Sequence, residues 1–259
     1  MKVSEVVGKK KIDINVDIGE GFSYDEALLA FATSANICCG VHAGSREISL
    51  KAILLCQEKG IRIGAHPGYP DRASMGRDPV SPGLERRYLS SIFEQVSWFT
   101  SVVAVSYIKP HGGFYNDTAQ MLPPDWEYSQ RKQPLATKYE NGGLYLALHP
   151  GMQSLSMLLR VHKLPLMGLE VTAHRILAER ASQRFIREGF ADRGYRPDGT
   201  LLSRREPNSV FTEPAEIRNQ VAKLAPFVDS LCVHVDTENC VEIAEVVYQT
   251  LLDEGFTPS

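Results

Sequence analysis

Histidines and acidic side chains recur at the ends of short apolar segments of this 259-residue chain. Imidazoles exchange protons near neutral pH, and carboxylates orient them, accept protons or bind metal ions. Buried polar groups are costly unless they are paired or used, so we interpret the histidines of four separate segments as one site. The candidate residues of this pocket are Asp17, Glu20, His42, His66, Asp71, Lys109, His111, Glu188, Asp192, Arg193, His234 and Asp236.

The segments that carry these residues have the pattern of parallel strands alternating with helices. In residues 12–18, aliphatic side chains alternate with Asp13, Asn15 and Asp17, which places the polar set on one face. The other strand candidates are 34–42, 61–66, 105–111, 164–170, 185–192 and 231–236. Six of the seven end in a His, Asp or Glu that we expect to face inward. Ligands bind at the carboxyl ends of such strands, so the pattern predicts one pocket.

Apolar stripes at helical spacing predict helices over 45–60, 84–103 and 237–255, and a further helix that begins near Pro214. Residues 117–150 are punctuated by prolines and break this rhythm, which predicts a surface excursion or a lid. No linker composition divides the chain. The sequence therefore predicts a single domain over 1–259, of the α/β class.

Composition excludes several classes of protein. The net charge of −3 offers no basic face for nucleic acid. No apolar run approaches the roughly 20 residues that cross a bilayer, and the charged N-terminus has no apolar signal region. Five cysteines without CxxC spacing argue against a disulfide scaffold and favour a reducing, cytoplasmic setting.

Sequence motifs leave the type of chemistry open. No HExxH motif is present, so a metal site would need ligands from separate strands, for example Asp17, His66 and His234. No GxSxG motif supports a serine nucleophile. No phosphate loop of the form GxxxxGK[ST] is present, so any use of ATP would need another kind of site or a partner chain.

Six segments together resemble the LamB/YcsF family, in the order in which that family has them. They are DINVDIGEG at 13–21, TSANICCGVHAG at 33–44, GAHPGYPD at 64–71, KPHGGFYN at 109–116, FADRGY at 190–195 with DGTL at 198–201, and CVHVDT at 232–237. The resemblance spans residues 13–256. Any one of these motifs alone would be weak, but the set is specific.

The resemblance implies a distorted seven-stranded parallel (β/α) barrel, similar to the barrel of glycoside hydrolases and deacetylases. It also implies a hydrolase of a cyclic amide C–N bond, namely ATP-dependent hydrolysis of 5-oxoproline (pyroglutamate) to L-glutamate. ATP would be a co-substrate, a divalent metal is a possible cofactor, and the expected partners are two further subunits, B and C.

We assign provisional roles on this basis. Lys109 and Arg193 would neutralise negative charge on an oxyanion or a phosphate, while carboxylates and imidazoles handle protons. The catalytic candidates are Asp17, His66, Lys109, His111 and Asp192. The substrate-binding candidates are Glu20, His42, Asp71, Asn116, Arg193, His234 and Asp236.

The chain departs from the family pattern at Ser45, where aspartate is usual, at Val235, where glycine is usual, and over 168–172. These departures bear on the substrate that the resemblance implies more than on the fold that it implies. Two alternatives stay open, and the departures at Ser45 and Val235 favour the second of them. One is a metal-dependent hydrolase or deacetylase that acts on a small amide or a carbohydrate, and the other is a non-catalytic subunit that binds a small acid.

Overall fold

The computed structural model describes residues 10–120 and 150–259. Its strands are Lys10–Ile18 (β1), Ser34–Cys38 (β2), Arg62–His66 (β3), Tyr107–Ile108 (β4), Leu166–Gly168 (β5), Phe185–Phe190 (β6), Ser230–Val233 (β7) and Phe256–Pro258 (β8). Its helices are Asp25–Leu28 (α1), Arg46–Lys59 (α2), Glu85–Val102 (α3), Gly112–Thr118 (α4), Pro150–His162 (α5), Ala173–Arg180 (α6), Pro214–Leu224 (α7) and Cys240–Asp253 (α8).

Strands β1 to β7 form a closed parallel barrel in chain order, because β1 pairs with both β2 and β7. Strand β8 lies outside this ring and pairs with the first residues of β1, from Lys10 to Ile12. The predicted distorted seven-stranded (β/α) barrel is therefore confirmed. Closure leaves no free edge in the ring and brings all seven carboxyl ends to one mouth.

The alternation in β1 separates an apolar exterior from a polar interior. The aliphatic side chains of Ile12, Ile14, Val16 and Ile18 are buried in the main core beneath the helices. Inside the barrel, Asp13 Oδ2 accepts hydrogen bonds from Ser34 Oγ at 2.8 Å and Ser230 Oγ at 2.5 Å. The barrel interior is thus held by paired polar groups, as burial requires.

A second polar layer lies one pleat further along the barrel. The Asn15 side chain donates to Ser230 Oγ at 2.8 Å and accepts from Asn36 Nδ2 at 2.6 Å. Asn36 also donates to Asp17 Oδ1 at 2.7 Å. This chain of hydrogen bonds connects the closed end of the barrel to the first acidic residue at its mouth.

The predicted helices are present, and their ends follow local capping rules. Helix α2 begins after Ser45, whose Oγ accepts from the Ile48 N–H at 3.2 Å, and ends at Gly60 in the left-handed region. Helices α1, α4, α5 and α6 were not predicted. Residues 117 and 118 of the predicted excursion belong to α4 and residue 150 belongs to α5, while residues 121–149 lie outside the described residues. The single-domain assignment stays a prediction.

Several strands are shorter than predicted, which moves polar residues into the loops that follow. Strand β2 ends at Cys38, so His42 lies in the turn beyond it, and β4 comprises only Tyr107 and Ile108. The expectation that Glu170 faces inward is wrong: β5 ends at Gly168, and Glu170 is exposed. All five cysteines are free thiols with buried side chains. Over the described ranges, no helix has both the length and the apolar character needed to span a membrane.

Candidate active site

A cavity of about 790 Å³ opens at the carboxyl ends of the barrel strands. Most of the candidate residues line it, namely Asp17, Glu20, His66, Lys109, His111, Asn116, Arg193, His234 and Asp236. Their segments are far apart in the chain and meet because the barrel closes.

Lys109 is the cation at the centre of the cavity floor. Its Nζ lies 2.9 Å from Asp17 Oδ1 and 2.9 Å from Glu188 Oε1, and only 1% of the residue is exposed. It also lies 3.2 Å from Asn15 Oδ1 and 2.9 Å from Cys232 Sγ. An ammonium group has three protons, so these contacts use its donors. Lys109 therefore holds two carboxylates in place, and a substrate atom must compete with them for its protons.

Burial and neighbouring charges shift the pKa values of these three groups in different directions. Burial disfavours the charged form of Asp17, but His66 and Lys109 outweigh it and hold the pKa of this carboxyl well below its ordinary value. Burial likewise opposes the charge of Lys109, yet the neighbouring Asp17, Cys232 and Glu188 raise its pKa well above the ordinary value. Burial raises the pKa of Glu188, which Lys109 only partly offsets. An ionised Asp17–Lys109 pair with Glu188 beside it is the result.

His66 and His111 face each other through one ring nitrogen each. The hydrogen bonds of their other nitrogens determine which nitrogens can carry a proton. His66 Nδ1 donates to the Lys109 carbonyl at 2.8 Å, and His111 Nε2 donates to the Met75 carbonyl at 2.8 Å, because carbonyl oxygens only accept. The two remaining nitrogens, His66 Nε2 and His111 Nδ1, are 3.0 Å apart. Two neutral rings would direct lone pairs at each other there. A shared proton or a bound cation between them removes the conflict.

Carboxylates flank this pair of nitrogens. Asp17 Oδ2 lies 3.4 Å from His66 Nε2, and Glu20 Oε1 lies 3.5 Å from His111 Nδ1. Glu20 Oε1 is also 3.4 Å from His42 Nε2, and the His42 ring stacks on the His111 ring with centroids 3.9 Å apart. Burial lowers the pKa of both His42 and His111 well below the ordinary value, so both rings are neutral near pH 7.

Two glycines let the loop after β3 approach these rings. A Cβ on Gly68 would lie 2.5 Å from His42 Nδ1, so any larger residue would displace that ring. Gly76 has φ +67°, and a Cβ there would lie 2.9 Å from His42 Cβ. His42 is completely buried and lies behind His111 as support rather than in the cavity wall.

The donor set fits a divalent metal ion. Ligand atoms lie within 4.8 Å of one another in the sets Asp17, His66, His111 and Glu20, His42, His111, and also in Asp17, Cys232, His234. Neutral imidazole nitrogens with carboxylate oxygens are ligands that zinc and related ions take. The candidate set Asp17, His66 and His234 is arranged differently: Asp17 Oδ2 lies between the two rings, 3.4 Å from His66 Nε2 and 3.9 Å from His234 Nε2.

Asp192 and His234 form an oriented dyad on the opposite wall. His234 Nδ1 lies 2.9 Å from Asp192 Oδ1, and the His234 backbone N–H donates to Asp192 Oδ2 at 3.0 Å. His234 lines the cavity, whereas Asp192 is 1% exposed behind it. The ring also stacks on Phe190 with centroids 5.5 Å apart. Because Nδ1 is held by the carboxylate, Nε2 is the nitrogen available for chemistry.

Three candidate residues are placed away from a direct role in the cavity floor. Asp71 lies in the loop after β3, where its carboxylate accepts from the Ala73 N–H at 3.2 Å and the Ser74 hydroxyl, and it does not line the cavity. The Arg193 guanidinium donates to the Ser209 and Leu202 carbonyls at 2.9 and 2.7 Å, so it holds a loop. Asn116 lines the cavity from α4 and is exposed.

The sequence did not identify Tyr115, Arg77 or Arg204 as members of the site. Tyr115 donates to Glu188 Oε2 at 3.1 Å and is buried in the wall. Arg77 and Arg204 reach the cavity from the loops after β3 and β6. The sequence feature that could have identified Arg77 and Arg204 is their position in loops that follow the carboxyl ends of strands, where the sites of barrel proteins form.

The departures from the family pattern have plain structural roles. Ser45 caps α2, a position that serine and aspartate fill equally well. Val235 is 1% exposed and belongs to the main apolar core, and it also lines the cavity between His234 and Asp236. In the altered turn at 168–172, Thr172 caps α6 by accepting from the His174 N–H at 3.3 Å.

A closed parallel barrel with imidazoles and carboxylates at its carboxyl mouth defines the class of (β/α)-barrel proteins that carry their sites at that end. Within this class the chain belongs to the LamB/YcsF family, whose model matches residues 12–123 and 152–258.

Similar proteins agree with this membership. The chain is 34% identical to the A-type subunit of a 5-oxoprolinase from Mycobacterium leprae, covering 94% of this chain and 96% of that one. It is 31% identical to the A-type subunit of a 5-oxoprolinase from Haemophilus influenzae, covering 93% and 96%. The crystal structure of a lactam utilization protein from Thermus thermophilus superposes with a TM-score of 0.73 at 25% identity, covering 96% and 98%. The resemblance found in the sequence is thus confirmed.

Proposed function

We propose that this chain is the A-type subunit of a 5-oxoprolinase and that it opens the lactam ring of 5-oxoproline to give L-glutamate. The observation that carries the proposal is the similarity to relatives named as A-type subunits of 5-oxoprolinase, which extends over more than nine-tenths of both chains. The cavity supports it, because it holds both an oriented base and a cluster of acids and imidazoles.

In this proposal His234 is the base and Asp192 orients it. The sequence analysis gave Asp192 as a catalytic candidate and His234 as a substrate-binding candidate, so the proposal exchanges their roles. Asp192 holds His234 Nδ1 at 2.9 Å, which leaves Nε2 to take a proton from water. As the oxygen of that water bonds to the lactam carbonyl carbon, the ring C–N bond breaks and the nitrogen takes up a proton. His66 Nε2, which lies 3.4 Å from Asp17 Oδ2, is the proposed proton donor to that nitrogen.

A lactam is a poor electrophile, so its carbonyl must be activated. ATP is the proposed co-substrate, and transfer of its terminal phosphoryl group to the lactam oxygen would release ADP and make the carbonyl carbon electrophilic. Ring opening by the first water would then leave an acyl phosphate, which a second water would hydrolyse to the free carboxylate and inorganic phosphate. The sequence contains no phosphate loop of the GxxxxGK[ST] type. We therefore place nucleotide use in a complex with subunits B and C, which the naming of the relatives as A-type subunits favours. The proposed compartment is the cytoplasm.

Hydrolysis assays on the purified chain, alone and with the two other subunits, test the proposal. The expected result is ATP-dependent release of glutamate from 5-oxoproline. Asp17→Ala and Lys109→Ala should each lower turnover by at least about 100-fold. Turnover close to wild type in both variants contradicts the site assignment. Binding of 5-oxoproline without turnover, when ATP and both other subunits are supplied, would instead establish a non-catalytic role in binding the acid.

A metal-dependent hydrolase acting on a small amide is the second candidate. It is favoured by the facing pair of acceptor nitrogens, His66 Nε2 and His111 Nδ1, which are 3.0 Å apart with Asp17 in reach. A metal held there would polarise the substrate carbonyl as a Lewis acid. Hydrolysis that needs no ATP and stops on chelation would decide for this candidate.

A further inference from the structure

Two arginines meet on a single carboxylate at the mouth of the cavity. Arg77 Nη2 lies 2.6 Å from Asp236 Oδ2. Arg204 Nη1 lies 2.8 Å from the same oxygen, and Arg204 Nη2 lies 3.2 Å from Asp236 Oδ1. Two positive charges against one negative charge leave this group with one positive charge in excess. We call these three residues the arginine clamp.

Two other arginines of the cavity wall do not share this imbalance, and the Arg193 guanidinium is used by the Ser209 and Leu202 carbonyls. Arg205 lies 2.9 Å from Asp78 Oδ1 and Arg196 contacts Glu206, so each of these cations has its own carboxylate. An excess positive charge that is partly shielded from water attracts an anion more strongly than an exposed, paired one. The clamp is therefore the part of the cavity wall best suited to a negatively charged ligand.

Both arginines remain accessible from the cavity. Their side chains are 32% and 24% exposed, whereas the carboxylate between them is 10% exposed, and all three residues line the cavity. A guanidinium carries five N–H donors in a plane, so pairing with Asp236 does not use all of them. Planar guanidinium groups match carboxylates through paired hydrogen bonds.

The surrounding loops hold the clamp in position. Arg193 donates to the carbonyls of Leu202 and Ser209, on either side of Arg204 in the sequence. Arg205 joins the same loop to Asp78 in the loop that carries Arg77. A site held in its binding geometry before the ligand arrives loses less entropy on binding.

We propose that the arginine clamp binds the carboxylate of a small lactam acid and so orients the lactam towards His234 and Asp17. This inference rests on the proposed function, since 5-oxoproline has one ionised group, on the carbon next to the ring nitrogen. The lactam carbonyl is on the other side of that nitrogen. Asp236 follows His234 by two residues, so a carboxylate held at the clamp places the ring beside the dyad. Asp236 itself positions the arginines and does not bind substrate.

Four probes measured by ligand-observed NMR titration of the full chain, with and without its partner subunits, test the inference. They are 5-oxoproline, cyclopentanecarboxylate (a carboxylate without a lactam), 2-pyrrolidinone (a lactam without a carboxylate) and inorganic phosphate. The variants are Arg77→Gln and Arg204→Gln. Arg175→Gln is the matched control, because Arg175 pairs with Glu179 on the surface of α6 and does not line the cavity. Each clamp variant should weaken binding of both carboxylates by about tenfold or more. Binding of 2-pyrrolidinone should not change, which also shows that the variants are folded.

Each contrary result has a definite meaning. Carboxylate binding that is unchanged in both clamp variants, or absent in the wild type, overturns the inference. So does phosphate that binds at the clamp more tightly than either carboxylate, since the site is then one for phosphate. Clamp-dependent binding of 5-oxoproline without any hydrolysis, when ATP and both other subunits are present, refutes the proposed function and leaves the carboxylate site established.

Discussion

Replacing Lys109 by methionine would remove the cation that holds Asp17 and Glu188 at the cavity floor. In the wild type, Lys109 Nζ lies 2.9 Å from a carboxylate oxygen of each, and all three residues are at most 3% exposed. Methionine fills most of the space without charge. Breaking a buried ion pair by removing one partner typically lowers the free energy of unfolding by about 3–5 kcal/mol.

The loss should depend on pH. Burial already raises the pKa of Glu188, and Lys109 is the first of the groups that oppose this rise. Without Lys109, the folded variant keeps a proton at Glu188, whereas the unfolded chain, in which Glu188 has an ordinary carboxyl pKa, has already lost it at neutral pH. The free energy of unfolding should then fall with rising pH, by up to about 1.4 kcal/mol per pH unit. Lys109 in the wild type gives no such slope, since its raised pKa keeps it charged well above pH 8.

Urea unfolding at pH 6 and pH 8 measures both effects. The double variant Lys109→Met/Glu188→Gln removes the uncompensated carboxylate, so it should recover much of the lost stability and abolish the slope. Lys59→Met is the control, because Lys59 Nζ lies 3.8 Å from the exposed Glu26 and such surface pairs contribute about 0–1 kcal/mol. If Lys109→Met lowers the free energy of unfolding no more than the control does, and by the same amount at both pH values, the charges at the cavity floor are not coupled as described.

Three further predictions concern His174, whose ring packs against the buried Tyr115, and two parts of the site itself. Burial lowers the pKa of His174 from 6.5 to about 3. The stabilisation that comes from keeping this ring neutral is therefore complete above pH 6.5 and is lost as the pH falls towards 3. His174→Phe should reduce the acid-side slope of unfolding free energy by about 1.4 kcal/mol per pH unit, and an unchanged slope in urea titrations would contradict the assigned burial. Asp192→Asn should lower turnover nearly as much as His234→Ala, with KM little changed, and a purely structural Asp192 would instead leave turnover intact in the folded variant. Cobalt(II) added to the metal-free chain should give a ligand-field absorption that His66→Asn removes, and a spectrum identical in both proteins would exclude His66 as a ligand.

The alternation of apolar and polar residues within single strands made the barrel and the centre of its site predictable. The two-residue period in β1 gives both the apolar exterior and the inward acids, so Asp17 followed from sequence, as did His66 and Lys109 at the ends of their strands. The prediction was wrong where a strand is short. Glu170 comes two residues after β5 ends at Gly168, so the turn directs it to solvent.

Residues whose placement depends on long loops were not predictable in the same way. Arg77 and Arg204 are separated by more than a hundred residues and meet at Asp236 because two loops cross the mouth of the barrel. Nothing in the local sequence of either loop specifies that meeting. The pairing of Asp192 with His234 also depends on β6 and β7 being neighbours in the barrel, so the sequence suggested the two residues but not which of them faces the cavity.

The charged centre of the cavity also helps to fix how the barrel closes. Lys109 follows β4, Asp17 belongs to β1, Glu188 to β6 and Cys232 to β7, so the contacts of one ammonium group connect four parts of the ring. A shift of one residue in the pairing of β1 would turn Asp17 outwards into the apolar core and leave Lys109 buried without that partner. Since an unpaired buried charge is strongly destabilising, the alternative register is disfavoured by the same interactions that arrange the catalytic candidates. Substitutions at this centre are therefore expected to alter the stability of the barrel and its chemistry together.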